Sequence, residues 1–480
     1  MPRRTKIIAT LGPATDAPGV LEKMIAAGLD VARLNFSHGK PADHARRLAM
    51  VRAASAKAGR DVGVFADLQG PKIRVDKFVN GSIELQDGQK FILDAGLDAD
   101  AGTSERVGIT YKELPQDVKP GDRLLLDDGL IVLVVDVIKD REIHCTVEAG
   151  GTLSNNKGIN RQGGGLTAPA LTDKDRADIR VAADLGVDYV AISFPRDAND
   201  VQIARDLVWD AGSRAGIIAK IERTEAVENI ASIVEAADVV MIARGDLAVE
   251  IGDAELPAVQ KMIIHVARDL NRVVITATQM MESMIQNPVP TRAEVLDVAN
   301  AVMDGTGAVM LSAETAAGKF PVKVIEAMAR VCVGAEKQRM TMRSRHRIDS
   351  HFERIDEAIA MAAMYTANHT GAKAIVALTE SGSTALWMSR IRSGIPIYAM
   401  TRHEATRRRV TIYRGVYALA FDVTHSEANM ILADAVNVLV EQGAVEKGDL
   451  VIITKGDFTG VAGGTNAMKI IRVGEQDVDD

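Results

Sequence analysis

The chain has very little cysteine: Cys145 and Cys332, two in 480 residues, can build neither a disulfide framework nor a cysteine zinc site. A reducing, cytoplasmic home is expected. Aromatic residues make up only 4%, too few for a surface that stacks nucleobases. Positive charge is not in excess either. With 57 Lys+Arg against 65 Asp+Glu the net charge is −8, so no general attraction to nucleic acid or an anionic membrane is expected. Any anionic ligand must be met by local cations. Long hydrophobic runs are missing: the strongest, 130–138, is short and interrupted by Asp136, and residues 1–6 lead into only three apolar residues. Neither a signal peptide nor a membrane span is expected. Known phosphate and metal signatures are missing too. Gly39-Lys40 is followed by Pro and Gly318-Lys319 by Phe, so there is no Walker A loop, and no HExxH pair is present. Gly163-Gly-Gly-Leu-Thr-Ala168 matches GxGxxA in letters but runs into Pro169 instead of joining a strand to a helix, which excludes a dinucleotide fold there.

What is present is a repeated alternation. Eight short apolar runs begin at Lys6, Asp30, Asp61, Asp188, Ala215, Asp238, Arg272 and Gly307, each ending abruptly in polar residues. Amphipathic helical stretches fill most gaps, at 20–28, 44–59, 198–211, 224–236 and 255–270, and Thr172-Asp-Lys-Asp and Thr291-Arg-Ala-Glu carry the capping-box pattern. Eight strand–helix units in series predict a closed parallel (β/α)8 barrel. The gap from 71 to 168 breaks the pattern with Gly/Asp-punctuated β-like segments and reads as an inserted all-β domain. The barrel would then be built from 1–70 and 169–340, near the ~250 residues usual for this fold. After a basic connector around Arg339 to Arg347, strand–helix alternation resumes. It predicts a second, open-sheet α/β domain over 348–480 with a possible edge strand at Met468.

Reactive groups of such a barrel sit where its strands end. The second run ends Arg33-Leu-Asn35-Phe-Ser37, and a two-residue period sends Arg33, Asn35 and Ser37 to one side. The fifth ends Lys220-Ile-Glu222; the sixth ends Arg244-Gly245-Asp246, where glycine permits close backbone approach. Glu222 and Asp246 on adjacent strands can hold a hard divalent ion such as Mg2+ with positions left for substrate oxygens. Lys220 beside that ion suits an anion whose charge develops during reaction, an enolate or a transferring phosphoryl group. Thr276 and Thr278 share a face on the seventh run and Ser312 and Glu314 close the eighth; for these a core or capping role is expected.

Taken in order, Ala32-Arg-Leu-Asn-Phe-Ser-His-Gly39, Lys220-Ile-Glu222, Ala243-Arg-Gly-Asp-Leu247 and Ala277-Thr-Gln-Met280 resemble pyruvate kinase, as does the block 275–314. The likeness spans essentially the whole chain. It implies transfer of the phosphoryl group of phosphoenolpyruvate to ADP, giving pyruvate and ATP with Mg2+. By that resemblance Arg33 binds the substrate phosphate, Glu222 and Asp246 ligate Mg2+, and Lys220 stabilises the phosphoryl group and enolate. Gly245 and Asp246 meet the substrate carboxylate, and Thr278 assists proton delivery through a relayed water. Asn35, His38, Arg74 and Lys157 match nucleotide-contacting positions, and the inserted domain would close as a lid that excludes water. Lys72 stands where the best-known animal enzymes have a glutamate that accompanies a K+ requirement. With Leu68, Gln69 and Val75 it resembles the branch that works without a monovalent cation. Its ammonium would replace the K+ otherwise held by Asn35, Ser37, Asp67 and Leu68, so K+ is not expected to be required.

Thr379-Glu-Ser381-Gly382-Ser383-Thr384 follows a strand and opens a helix, a geometry suited to phosphate, and resembles the family's effector loop. Fructose 1,6-bisphosphate, AMP and other sugar phosphates stay open as effectors. The run Arg407-Arg-Arg409 reads as a solvated helix face. The family usually forms homotetramers. Two other readings are a Mg2+-dependent carbon–carbon lyase on a similar barrel and a non-catalytic homologue. The lid and Lys220 argue against the first, and the retention of Lys220, Glu222, Asp246 and Thr278 against the second.

Overall fold

The computed structural model describes residues 2–342, 351–424, 430–457 and 463–475. Part of the expected basic connector, and the ends of the expected C-terminal domain at 348–350 and 476–480, lie outside the described residues. Eight parallel strands close a barrel: Lys6–Thr10, Val31–Asn35, Gly63–Asp67, Tyr189–Ile192, Gly216–Ile221, Val239–Ala243, Val273–Ala277 and Ala308–Leu311. All eight apolar runs are therefore strands of one sheet. They read as continuous apolar runs because both faces are buried. Ile8, Phe65, Tyr189, Ile218, Met241, Ile275 and Met310 fill the interior, while their neighbours Ile7, Val64, Val190, Ile217, Val240, Val274 and Val309 pack under the helices. The interior cluster does not stop at the barrel floor. It continues into Met388, Ile391, Val410, Ile412 and Tyr413 of the C-terminal unit, so barrel and C-terminal unit share one core.

Three aspartates organise the floor. Asp30, Asp188 and Asp238 stand just before the second, fourth and sixth strands and accept the backbone N–H of Ile7, Val64 and Ile217 on the preceding strands at 2.8, 2.8 and 2.7 Å. Each also pairs with an arginine: Arg3 at 2.8 Å, Arg52 at 3.1 Å and Arg205 at 3.0 Å. Burial would raise the Asp30 carboxyl, but Arg3, Lys6 and Arg60 outweigh it and hold it at about 2. Both expected capping boxes form, Thr172 Oγ1 accepting from Asp175 N and Thr291 Oγ1 from Glu294 N. The stretch 224–236 is not one helix, however. It divides into Thr224–Glu228 and Ile230–Ala236 at Asn229, whose φ of −96° and ψ of 18° leave the helical range.

Between Ile73 and Leu166 the chain forms a mainly β unit with its own core, including Phe91, Leu124, Ile131, Leu133 and Val147; it is not all β as expected, since Leu114–Asp117 is a short helix. Its main sheet runs Ile159–Arg161, Arg123–Leu126, Ile131–Lys139, Glu142–Ala149, Lys90–Asp94 and Arg106–Gly108, beside a pair formed by Gly151–Ser154 and Ser82–Leu85. The neck of this insertion is zipped shut: Val75 N donates to Lys157 O and Ile159 N to Ile73 O, both at 2.9 Å, and Arg74 bridges Gly158. Above and below the insertion the third and fourth barrel strands pair directly, Phe65 opposite Tyr189. The C-terminal sheet has the order Val416–Ala420, Ile397–Thr401, Ala374–Leu378, Leu450–Gly456 and Thr465–Arg472, the last antiparallel at the edge.

One expectation is overturned here. The run Arg407–Arg409 is not a solvated face but faces the barrel floor. Arg407 Nε reaches Asp61 at 3.0 Å, Arg408 Nε reaches Asp188 at 2.9 Å, and Arg409 donates to Arg214 O while its own carbonyl accepts Tyr189 Oη at 2.8 Å. Carboxylates far away in sequence turn a charged stripe into an interface. Among the described residues no helix is long and apolar enough to cross a membrane.

Candidate active site

Because the eight strands run in one direction, their C-terminal ends share one rim. Asp67 closes the third strand and is buried. Its Oδ2 takes Arg33 Nε at 2.7 Å and Nη2 at 2.6 Å, while Arg33 Nη1 donates to Thr10 Oγ1 at 3.0 Å. The guanidinium is thereby fixed at the mouth by the end of the first strand and the end of the third. Lys220 stands next to it. Its Nζ donates to Ser193 Oγ at 2.7 Å and lies 3.0 Å from Glu222 Oε1 and 3.4 Å from Asp67 Oδ1, which is buried and accepts no hydrogen bond. Burial alone would lower the Lys220 pKa, but Asp67 and Glu222 outweigh it, so the ammonium is held above the ordinary lysine value and stays charged.

Glu222 is 2% exposed and its Oε2 accepts Phe194 N at 2.9 Å. Burial pushes its carboxyl up, Lys220 pulls it back, and the Asp246 carboxylate pushes it up again, leaving it above the usual range. Asp246 is itself held by Lys72, whose Nζ lies 2.8 Å from Oδ1. Buried Glu222 and half-buried Asp246 repel each other, and a divalent cation at the pair would relieve that repulsion. Among the described residues no three His, Cys, Asp or Glu side chains are grouped to hold a metal, and an ion at this pair would need water or substrate oxygens to complete its shell.

The sixth strand turns directly into helix Arg244–Ile251. Buried Arg244 clamps the turn to the end of the seventh strand, donating to Ala277 O at 3.2 Å and Thr278 O at 2.7 Å and pairing with Asp297 at 2.8 Å. Thr278, at φ 68°, accepts Gly245 N on its Oγ1 at 2.9 Å. Gln279 and Phe194 also have positive φ, a conformation that costs a non-glycine residue about 1–3 kcal/mol and gathers at working sites. The same backbone turn separates Thr276 from Thr278. Thr276 Oγ1 bonds Thr306 in the core at 3.0 Å, and Glu314 caps Ser312 N at 2.6 Å, as expected for core and capping residues. A Cβ added at Gly245 would meet no protein atom closer than 3.9 Å, so the space glycine leaves there belongs to the cleft. That cleft, about 590 Å3, opens between the rim and the β unit, with Lys72, Asp128 and Gln162 on one wall and Asp246, Thr278 and Ser312 on the other.

The expected residues do not all converge. Asn35 Oδ1 accepts Ser37 N at 3.1 Å and His38 is exposed. At the neck, Arg74 donates to Asn156 O at 2.8 Å, and Lys157 pairs with Asp127 at 2.7 Å. Lys72 pairs with Asp246 and not with Asp67, whose charge is met by Arg33 and Lys220 instead. In the C-terminal unit Gly382, at φ 85°, opens helix Ser383–Arg390. Its N–H donates to Thr379 Oγ1 at 2.9 Å, Ser381 Oγ accepts Ser383 N at 3.4 Å, and Thr384 bonds Thr465 at 2.7 Å. A cavity of about 150 Å3 beside this loop is also lined by Arg402 and Lys455. Sequence reasoning missed Thr10, Ser193 and the Arg244–Asp297 clamp. Ser193 ends the fourth run, and the strand-end rule applied to that run would have found it.

Next to the site, buried Glu250 accepts Thr224 N at 3.0 Å, and burial raises its carboxyl to about 7 despite this bond and Arg223. In the folded state Glu250 binds a proton more tightly than in the unfolded chain. Its stabilising contribution is complete below about 4.5 and is lost as pH rises through about 7. Glu250→Gln should therefore flatten the fall in unfolding midpoint between pH 5 and 8; an unchanged slope would assign that slope to other groups.

A family model described as pyruvate kinase, barrel domain, matches residues 2–325, and one described as pyruvate kinase, alpha/beta domain, matches 357–471. The chain is 57% identical to pyruvate kinase II of Salmonella typhimurium over 98% of its own length and 99% of that protein's. It is 55% identical to pyruvate kinase of Haemophilus influenzae over 95% and 96% of the two chains, and 42% identical to that of Mycobacterium tuberculosis over the full length of both. Barrel, rim and both matching halves agree: the chain belongs to the pyruvate kinase family.

Proposed function

We propose that the rim moves the phosphoryl group of phosphoenolpyruvate onto ADP and protonates the enolate left behind, giving pyruvate and ATP. The observation that carries this is the Lys220 ammonium, kept charged between Asp67 and Glu222 and beside the Arg33 guanidinium. In the transfer, the bond from phosphorus to the enol oxygen breaks, its electrons stay on that oxygen, and a β-phosphate oxygen of ADP bonds to phosphorus. Arg33 orients the phosphate, and Lys220 meets the negative charge that builds on phosphoryl and enolate oxygens, preorganised by its three partners. Backbone around Gly245 and Asp246, open toward the cleft, receives the substrate carboxylate. Thr278 Oγ1 orients the water that gives a proton to the enolate carbon. Glu222 and Asp246 would hold the Mg2+ on which the family depends, and that ion would supply positive charge to neutralise the phosphoryl group.

Asn35, His38, Arg74 and Lys157 take the nucleotide phosphates, and the unit 71–168 closes over the cleft as a lid that keeps water from competing with ADP. Lys72 supplies fixed positive charge at Asp246, which leaves Arg33 and Lys220 free to meet Asp67, so the Asn35–Ser37–Asp67–Leu68 position needs no K+. The loop 379–384 takes a sugar phosphate or AMP as effector. A homotetramer in the cytoplasm completes the reading; the buried free thiols Cys145 and Cys332 fit a reducing compartment. Pyruvate formation from phosphoenolpyruvate and ADP with Mg2+ in potassium-free buffer tests both halves. Turnover there is expected. Turnover only after K+ addition would remove the role given to Lys72, and no pyruvate even with sugar phosphates and AMP would remove the reaction.

A further inference from the structure

The floor of the barrel, at the end opposite the rim, carries a charge imbalance. Arg268 lies in the last turn of helix Leu256–Asp269 of the barrel, Arg390 at the end of helix Ser383–Arg390 donates to Arg272 O at 2.9 Å, Arg392 donates to Asp304 O at 2.8 Å, and the residue after Arg414 donates its N–H to Arg4 O at 2.8 Å, so all four stand where the floor meets the C-terminal unit. Arg268 and Arg392 flank Gly305, whose missing Cβ would stand 3.5 Å from Arg268 Cδ and 3.0 Å from Arg392 Nη2. Arg268, Arg390 and Arg414 are only 8, 3 and 6% exposed. None of the four arginines forms an ion pair with a carboxylate among the described residues. Among the described residues Arg268 Nε, Arg390 Nη2 and Arg414 Nε are buried and find no acceptor, although Arg390 Nε and Nη1 donate to Ser389 Oγ and Arg272 O.

Of the nearby acids, Glu336 is committed elsewhere and Asp304 only by one oxygen, its Oδ2 being buried without a partner on the side of Arg392. Glu336 accepts Arg4 N, Thr5 N and Thr5 Oγ1, and Asp304 Oδ1 holds Lys261 at 2.5 Å. Burial first, and then the neighbouring guanidinium groups, push Arg390 down to about 9 and Arg268 and Arg414 to about 10; Tyr413, Asp269 and Glu336 only partly oppose this. Arginine does not shed its proton in a protein, so the repulsion cannot be relieved by titration. Buried charge persists when it is paired, and buried N–H groups when they find acceptors. One anion among these side chains meets both requirements.

We propose that the junction of barrel floor and C-terminal unit binds a small inorganic anion, a halide or a tetrahedral oxyanion, through Arg268, Arg390 and Arg414. The anion would pin the two units together at the far end of the helix whose beginning carries the loop 379–384. Thermal unfolding of the full chain in sodium gluconate, with chloride or inorganic phosphate substituted at constant ionic strength, tests it. The midpoint should rise saturably by about 3 °C or more, and the more effective anion identifies the class. Arg268→Met combined with Arg390→Met should abolish the saturable rise. Since that variant could fail to fold, wild-type crystals soaked in bromide or selenate give a second readout: an anomalous peak within hydrogen-bonding distance of the three unmatched nitrogens. An equal, unsaturable response in wild type and variant, or no peak with either anion, overturns the proposal.

Discussion

Replacing Lys220 with methionine is expected to lower kcat by about 10³-fold and to weaken the fold in the same stroke. A preorganised donor aimed at developing charge is worth about 10²–10³ in kcat when removed, and in the proposed reaction Lys220 would serve the phosphoryl oxygens and the enolate together. The structural cost has a separate origin. Lys220 is the cation shared by Asp67 and Glu222, both nearly inaccessible to solvent, and Asp67 Oδ1 has no other partner. Leaving a buried charge uncompensated costs about 3–5 kcal/mol; Arg33, still on Asp67 Oδ2, moderates that loss. Steady-state kinetics and denaturant unfolding of one preparation read both effects. A variant within tenfold of wild-type kcat would remove Lys220 from the chemistry.

Glu222→Gln should give the opposite combination, a crippled catalyst in a fold as stable as before or more so. Glutamine keeps one acceptor oxygen, enough for Phe194 N at 2.9 Å; Lys220 gives up the carboxylate oxygen at 3.0 Å but retains Asp67 and Ser193, and the repulsion from Asp246 ends. Burial disfavours the charged form of Glu222, so the variant's gain in stability should be largest at high pH and vanish in acid. The Mg2+ concentration for half-maximal activity should rise by about 100-fold or more, since even an outer partner of a metal ligand is worth about 10–100-fold. A variant with normal Mg2+ response would show that the ion is held elsewhere.

The two variants also mark how far sequence reasoning reached. Strand positions were legible because a barrel strand is apolar on both faces and ends in polar residues at a shared rim, which exposed Arg33, Lys220, Glu222 and Asp246 at once. Backbone reversals were not legible. Thr276 and Thr278 read as neighbours on one face until the positive φ of Thr278 turned them apart. Asn229 interrupts an amphipathic stretch whose pattern continues on both sides, so periodicity could not find the break. Long-range pairing was hidden as well. Nothing local distinguishes Arg408, bound to Asp188, from a solvated cation, and Lys72 found Asp246 instead of Asp67.

The zipped neck of the insertion bears on the order in which the chain can assemble. The third and fourth barrel strands must pair across about 120 intervening residues. Closing a loop grows costlier only as the logarithm of its length, by about 0.6 kcal/mol per doubling, yet distant pairings are still slow to form. A β unit that folds first and ties residues 73–75 to 157–159 cancels most of that distance. Its two ends then leave side by side, and the barrel meets a short connection where the sequence shows a long one. An insertion that folds first would act as a clasp during folding, and mutations that loosen its neck would then slow barrel closure even where no barrel residue is changed.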